Sequence, residues 1–163
     1  MNNSSSQTII GAQEWCSLPD LSVPLIKAHI NSCIPISCLR VYNLQTVTQD
    51  NVLHVRYDIK PLQHNLSVRV PCQSVVIDRT RINNTRCFVV NTSLKLDELK
   101  TTIKVALITH DINDYRCNLS PDAVSTYLVD LNRKCLFGKK KPQELKDSYG
   151  CLLYTSPSPR DRG

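Results

Sequence analysis

Hydrophobic and polar residues alternate with period two through the middle of the chain. In 52–59 (VLHVRYDI), Leu53, Val55, Tyr57 and Ile59 share one face, with His54, Arg56 and Asp58 opposite. Leu66, Val68 and Val70 repeat the pattern, as do Phe88, Val90, Thr92 and Leu94, and again Ile103, Val105 and Leu107. This spacing predicts half-buried strands. The short apolar run SVVID (74–78) predicts a strand buried on both faces. The links carry strand breakers: Thr48 to Asn51, Pro61 to Asn65, Arg79 to Thr85 and Asp97 to Lys100. Many short strands at close spacing predict an all-β barrel or sandwich.

One helix signal stands out. Ser120 offers an N-cap, Pro121 fits the first helical position, and Asp122 suits the dipole. One short helix to about Thr126 is expected. Tyr127 to Leu131 and Lys134 to Phe137 then read as a closing hairpin around Asn132. The polar residues 1–8 read as a disordered start. Apolar periodicity is lost beyond Gly138, so 140–150 reads as a solvated end. Residues 151–163, CLLYTSPSPRDRG, resemble a translated sequencing adapter joined to the reading frame; a Ser/Pro-rich tail is the other reading.

The 163 residues suit one domain, with too little material for two well-filled cores. The longest apolar runs, such as VALI at 105–108, are far below the ~20 residues of a membrane helix, so no membrane span is expected. The N-terminus lacks the basic and apolar regions of a secretory signal, which favours a cytoplasmic location. The Asn-x-Ser/Thr triplets at 3, 65, 83, 91 and 118 then read as chance.

Eight cysteines are present, seven of them before residue 151, and an odd count without a signal argues against a disulfide framework. Cys33 and Cys38 form C-x4-C with His29 just upstream, but zinc needs three or four convergent ligands and no second tight pair exists. Buried thiols are expected, and no metal or other cofactor. The formal charge of +6 permits nucleic-acid binding. The basic residues are nevertheless scattered apart from Lys139 to Lys141, and the aromatics show no stacking pattern, so no nucleic-acid partner is expected.

Residues 9–40 read IIGAQEWCSLPDLSVPLIKAHINSCIPISCLR. Gly11, Glu14, Trp15, Leu18, Pro19, Ile26, Lys27 and Ala28 match, without gaps, the opening pattern of a known family. Asp78-Arg79, Arg86 and the LVD at 128–130 fall in register further on. The sequence thus resembles, over about 9–139, the bacterial retropepsin-like proteins known as ATP-dependent zinc proteases. These are often encoded beside, or fused to, RimK-type ATP-grasp glutamate ligases. The resemblance implies a small closed β-barrel supplying half of an aspartic protease, with two chains pairing to supply two carboxylates. Two carboxylates about 3 Å apart share one proton. One then acts as general base on water while the other donates to the substrate carbonyl.

The departures fall at the implied active site. The family's Asp-Thr-Gly-Ala is Asn31-Ser32-Cys33-Ile34 here. A Ser32 hydroxyl can still make the inter-chain hydrogen bond. A carboxamide at 31 matches a carboxylate in shape but accepts no proton at ordinary pH. Loss of a general base costs ~10²–10⁴-fold in rate. Cys33 replaces a glycine of the kind that often marks positive φ, where a side chain is strained. The supporting hydrophobic pair and Gly-Arg read Asn118-Leu119-Ser120-Pro121, and RTRINNTR (79–86) is shorter than the family's flap-like hairpin. Arg40 stands where the family often has His.

The resemblance with these losses predicts a pseudoenzyme that binds a peptide or partner, as a homodimer or as a heterodimer with an active paralogue. The alternative is an active peptidase on peptides or glutamate-rich tails, using another carboxylate. Asp20, Asp58, Asp78, Asp111 and Asp114 are available, none in an Asp-Ser/Thr-Gly context. A cysteine variant using Cys33 and His29 is a further alternative. Trp15 is expected to pack in the core, and Lys27 to sit on a strand surface.

Overall fold

A computed structural model describes residues 8–62, 68–138 and 147–149. Its strands are β1 (Ile9–Gly11), β2 (Gln13–Leu18), β3 (Val23–Ile30), β4 (Ser37–Arg40), β5 (Tyr42–Gln49) and β6 (Val52–Ile59), followed by β7 (Val70–Val75), β8 (Asp78–Ile82), β9 (Thr85–Leu96), β10 (Leu99–Ile108), β11 (Cys117–Leu119) and β12 (Leu128–Asp130). The order β10-β4-β11-β3-β2-β9 closes on itself through β9–β10 pairing and forms a six-stranded barrel. β8 extends the sheet outward from β9. Of the barrel or sandwich that the alternation predicts, the chain builds the closed all-β barrel that the family resemblance implies.

Alternation fills the interior. Ile26 and Ala28 from β3, Leu39 from β4, Val90 and Leu94 from β9, and Val105 and Leu107 from β10 are buried in one cluster. Each large apolar side chain so buried contributes ~1.5–3 kcal/mol. VALI is buried throughout because its two faces serve two clusters. Val105 and Leu107 face the main core, and Ala106 and Ile108 join Cys38, Ile82 and Cys87 in a second one.

Between β4 and β8 the chain inserts a three-stranded sheet, β5-β6-β7. As the period predicts, Val55, Tyr57 and Ile59 of β6 face the main core. Two hairpins turn on paired left-handed residues, Asp50-Asn51 (φ 52° and 66°) and Asn83-Asn84 (φ 51° and 66°). Positive φ at both central residues suits the right-handed twist of the flanking strands, and Asp and Asn tolerate it best after glycine.

Several expectations are corrected. The segment 79–85 is a hairpin of β8 and β9 turning on 83–84, not a link, because two Asn suffice for the turn. The SVVID run is split between β7 and β8, and Val75 and Ile77 are exposed. Of the strand expected at 66–70, Leu66 and Ser67 lie outside the described residues, Val68 and Arg69 are not in a strand, and β7 begins at Val70. The helix at Ser120 is a single 3-10 turn, Pro121–Val124, and the Ser120 side chain makes no cap. A second such turn spans Pro19–Leu21. The expected hairpin around Asn132 is absent, since β12 pairs in parallel with β1, 117 residues or more away in sequence and beyond the reach of local periodicity. Tyr149, in the segment expected to be solvated, is buried in the main core. The expectations for residues 1–7, 63–67, 139–146 and 150–163, including Lys139 to Lys141 and the adapter-like tail, lie outside the described residues.

The family-type opening pattern has a packing reason. The Glu14 carboxylate is fully buried and accepts the Gly11, Leu136 and Phe137 N–H groups at 2.8, 2.8 and 3.2 Å. A Cβ on Gly11 would lie 2.5 Å from the Arg133 carbonyl oxygen, so only glycine lets β1 approach the segment after β12. Trp15 is not a core residue. It is half-buried, with the Lys27 ammonium 5.2 Å from its ring centroid. Its β-strand register across from Lys27 puts both on the outer wall. Lys27 is the strand-surface residue expected.

Candidate active site

Asn31, Ser32 and Cys33 leave the end of β3, and β4 begins at Ser37. The turn is anchored by the Asn31 N–H donating to the Leu119 carbonyl at 2.9 Å. Leu119 ends β11, which pairs in parallel with β3 from Cys117↔Ala28 to Leu119↔Ile30. The core thus fixes the base of the turn from two strands. Asn31 Oδ1 accepts the Cys33 N–H at 3.0 Å. This Asx turn holds the carboxamide toward its own backbone. Asn31 is half-buried, and Ser32 and Cys33 are exposed.

The strain expected at Cys33 is not found. The left-handed residues among those described include Ser22, Asn43, Asp97 and Cys135, but not Cys33. The Asn31 side chain closes the turn while Cys33 keeps ordinary backbone geometry.

Behind the turn lies a pair of buried hydroxyls that local sequence does not reveal. Ser37 Oγ accepts the Ser120 N–H at 2.9 Å and lies 3.3 Å from Ser120 Oγ. The residues are 83 positions apart, and only the β4–β11 adjacency unites them. The Ser120 that replaces the family's glycine thus finds a partner in place of a helix cap. Ser37, Ser120, Lys104 and Asp122 line a cavity of about 400 Å³.

Three of the five alternative carboxylates have other partners. Asp111 accepts from Arg40 Nε at 2.8 Å and lies 3.6 Å from Arg116. Asp58 accepts from Asn43 Nδ2 at 2.8 Å and faces Arg69 at 3.8 Å. Asp78 accepts the N–H of Arg79. Asp20 is exposed beside the first 3-10 turn, and Asp114 lines an outer cavity with Asp111. His29 is also engaged elsewhere. Its ring stacks on Tyr115 at 4.8 Å, and Nδ1 lies 3.2 Å from Asn118 Oδ1. The structure therefore does not pair it with Cys33 as the cysteine-peptidase variant requires.

The other thiols are packing groups. Cys16, Cys38, Cys87 and Cys117 are buried and Cys72 and Cys135 half-buried, and none of them forms a disulfide among the described residues. Burial pushes the Cys38 thiol up to about 12, with smaller contributions from Cys87 and Cys117. Burial does the same for Cys72, again to about 12, with Asp58 adding to it. A hydrogen bond with Cys117, and then burial, raise Cys16 well above the usual thiol range. Among the described residues no three His, Cys, Asp or Glu side chains converge as metal ligands. The residues described therefore do not fit the zinc that the resembling proteins' name implies.

Comparison with known proteins places this geometry. Residues 9–140 match the model of the RimB-like family, described as retropepsin-like aspartic endopeptidase RimB. Relatives called "Probable alpha-L-glutamate ligase" include one from Desulfotalea psychrophila, 33% identical over 156 residues, and one from Parasynechococcus marenigrum, 31% identical over 150. These cover 91% and 88% of this chain, which spans only about a third of their length (33% and 32%). A crystal structure of Lpg0085 from Legionella pneumophila, of unknown function, superposes with a TM-score of 0.67 at 19% identity. It covers 82% of this chain and 100% of its own, and so agrees in fold. On the match over residues 9–140, the chain belongs to the RimB-like family of retropepsin-like aspartic endopeptidases.

Proposed function

We propose that this domain is a retropepsin-like barrel without peptidase activity that binds a peptide or partner chain in a glutamate-ligase setting. One observation carries the reading. At the turn after β3, where the family pattern has its catalytic Asp, the chain has Asn31, whose Oδ1 is engaged by the Cys33 N–H. The group cannot take a proton from water, and a dimer of identical chains would lack both bases. Pairing with itself or with an active paralogue is part of the proposal.

The binding surface favoured is the β8–β9 hairpin. β8 pairs only with β9 among the described residues, so its outer edge is open to an extended peptide. Arg79, Arg81 and Arg86 are exposed on this hairpin. That charge suits a glutamate-rich chain, and the name of the relatives supplies the setting. The test incubates the protein with a fluorescent oligoglutamate peptide and a mixed peptide library. Saturable binding of oligoglutamate, weakened by Arg81→Ala, with no new termini by mass spectrometry, is expected. Cleavage that survives Asn31→Ala would place the chemistry elsewhere and overturn the reading.

A further inference from the structure

The outer wall of the barrel, on the face of β3 opposite the core, holds a polar arrangement that the peptidase reading does not use. Register sets Gln13 across from His29, and His29 across from Asn118. The segment 109–116 folds back over these side chains. The Tyr115 ring stacks on His29 with an interplanar angle of 12°, and its hydroxyl donates to Gln13 Oε1 at 2.6 Å. Asn113 and Asn118 exchange side-chain hydrogen bonds at 2.7 and 3.2 Å, and Asn113 Oδ1 also accepts the Tyr115 N–H at 2.9 Å. Such a wall is organised before any ligand arrives.

The wall bounds a cavity of about 550 Å³ lined by Gln13, Lys27, Asp111, Asp114, Tyr115 and Arg116. That size is ordinary for a small-molecule site. Its charges are unevenly matched. Arg40 and Arg116 both reach the single Asp111 carboxylate, leaving a positive excess on that side. The Arg116 side chain is 15% exposed, and its buried Nε has no hydrogen-bond partner among the described residues. Lys27 contacts the Trp15 face and makes no ion pair among the described residues. Opposite in sign stands Asp114, exposed at the rim and likewise without an ion pair among the described residues.

We propose that this cavity binds a small zwitterion of amino-acid or dipeptide size, its carboxylate toward Lys27 and Arg116 and its ammonium toward Asp114. A dianionic phosphate fits less well, because two carboxylates line the same space and repel it. A monoanionic carboxylate meets less repulsion, and an ammonium on the same molecule turns Asp114 into a partner. The site uses neither residues 31–33 nor the β8–β9 hairpin, so it stands or falls apart from the proposed function.

The test titrates the whole chain by calorimetry with glycylglycine and glycine, and with acetate, methylammonium and inorganic phosphate. Trp15, the only tryptophan, gives an independent fluorescence signal beside Lys27. Saturable binding of glycylglycine or glycine is expected, at least tenfold tighter than acetate or methylammonium; which of the two binds better separates peptide from free amino acid. Lys27→Gln and Asp114→Asn should each weaken it at least tenfold with unchanged far-ultraviolet circular dichroism. Should Lys27→Gln not fold, Lys27→Arg must retain binding and Asp114→Asn alone decides. No saturable heat with either zwitterion, tighter binding of phosphate, or indifference to Asp114→Asn would overturn the proposal.

Discussion

Glu14 accepts the N–H of Leu136 at 2.8 Å across 122 residues of chain. The same carboxylate holds Gly11 and Phe137, so it ties β1 and the segment after β12 to β2. Three backbone donors offset the desolvation of a buried charge. Glu14→Gln puts an amide donor where only acceptors fit, and should cost about 2–4 kcal/mol. Urea unfolding at neutral pH measures this as a lowered midpoint with an unchanged slope. An unchanged midpoint would mean that the carboxylate is not the tie.

Tyr149 reaches back to β3 and bonds both polar groups of Leu25, donating to its carbonyl and accepting its N–H at 3.2 Å. β11 covers only Ala28 to Ile30, so Leu25 lies where that partner strand has run out. Tyr149→Phe keeps the buried ring and should cost ~1–2 kcal/mol. Tyr149→Ala also opens a cavity and should cost ~3–5 kcal/mol. Equal losses for the two, read from thermal melts, would contradict the assigned hydrogen bonds.

Alkaline pH should unfold the protein through its buried acids. The Cys38 and Cys72 thiols hold their protons up to about 12 when folded, against an ordinary value of 9.0. Burial raises Tyr57 and Tyr149 in the same direction. The folded state therefore binds more protons than the unfolded one above pH 9. This contribution is intact below the unfolded pKa and is lost as pH rises from about 9 toward 12. The urea midpoint should hold level from pH 7 to about 8.5 and fall beyond 9. A midpoint that stays level to pH 11 would contradict it.

Cys33 is exposed, whereas Cys16, Cys38, Cys87 and Cys117 are buried. Brief treatment of the native protein with iodoacetamide should place the first adduct of the described cysteines on Cys33, located by peptide mass mapping. The four buried thiols should react only after urea is added. Early adducts on Cys117 or Cys38 would mean that the barrel wall opens readily.

What the sequence revealed follows from the range of its signals. Period-two alternation along β6, β9 and β10 reports which face meets the core: Val55, Tyr57, Ile59, Val90, Leu94, Ile103, Val105 and Leu107 are buried there, while Leu53 and Phe88 are half-buried. The barrel family came from the ungapped pattern around Gly11 and Glu14, whose reason is now a close approach and a three-donor carboxylate. Long-range pairings were not legible. Nothing local to Leu128 announces β1 as its partner, and nothing near Ser37 announces Ser120. Trp15 misled because its bulk suggested the core while its register across from Lys27 placed it outside. At Cys33 a strain argument based on glycine failed because Asn31 closes the turn by another route.

The most direct measurement compares the natural chain with the double substitution Asn31→Asp, Cys33→Gly, on oligoglutamate and general peptide substrates. The double variant should cleave and the natural chain should not, with a rate gap of at least ~10²–10⁴-fold. Equal cleavage by both would contradict it, because residue 31 would then not be the catalytic position of this barrel.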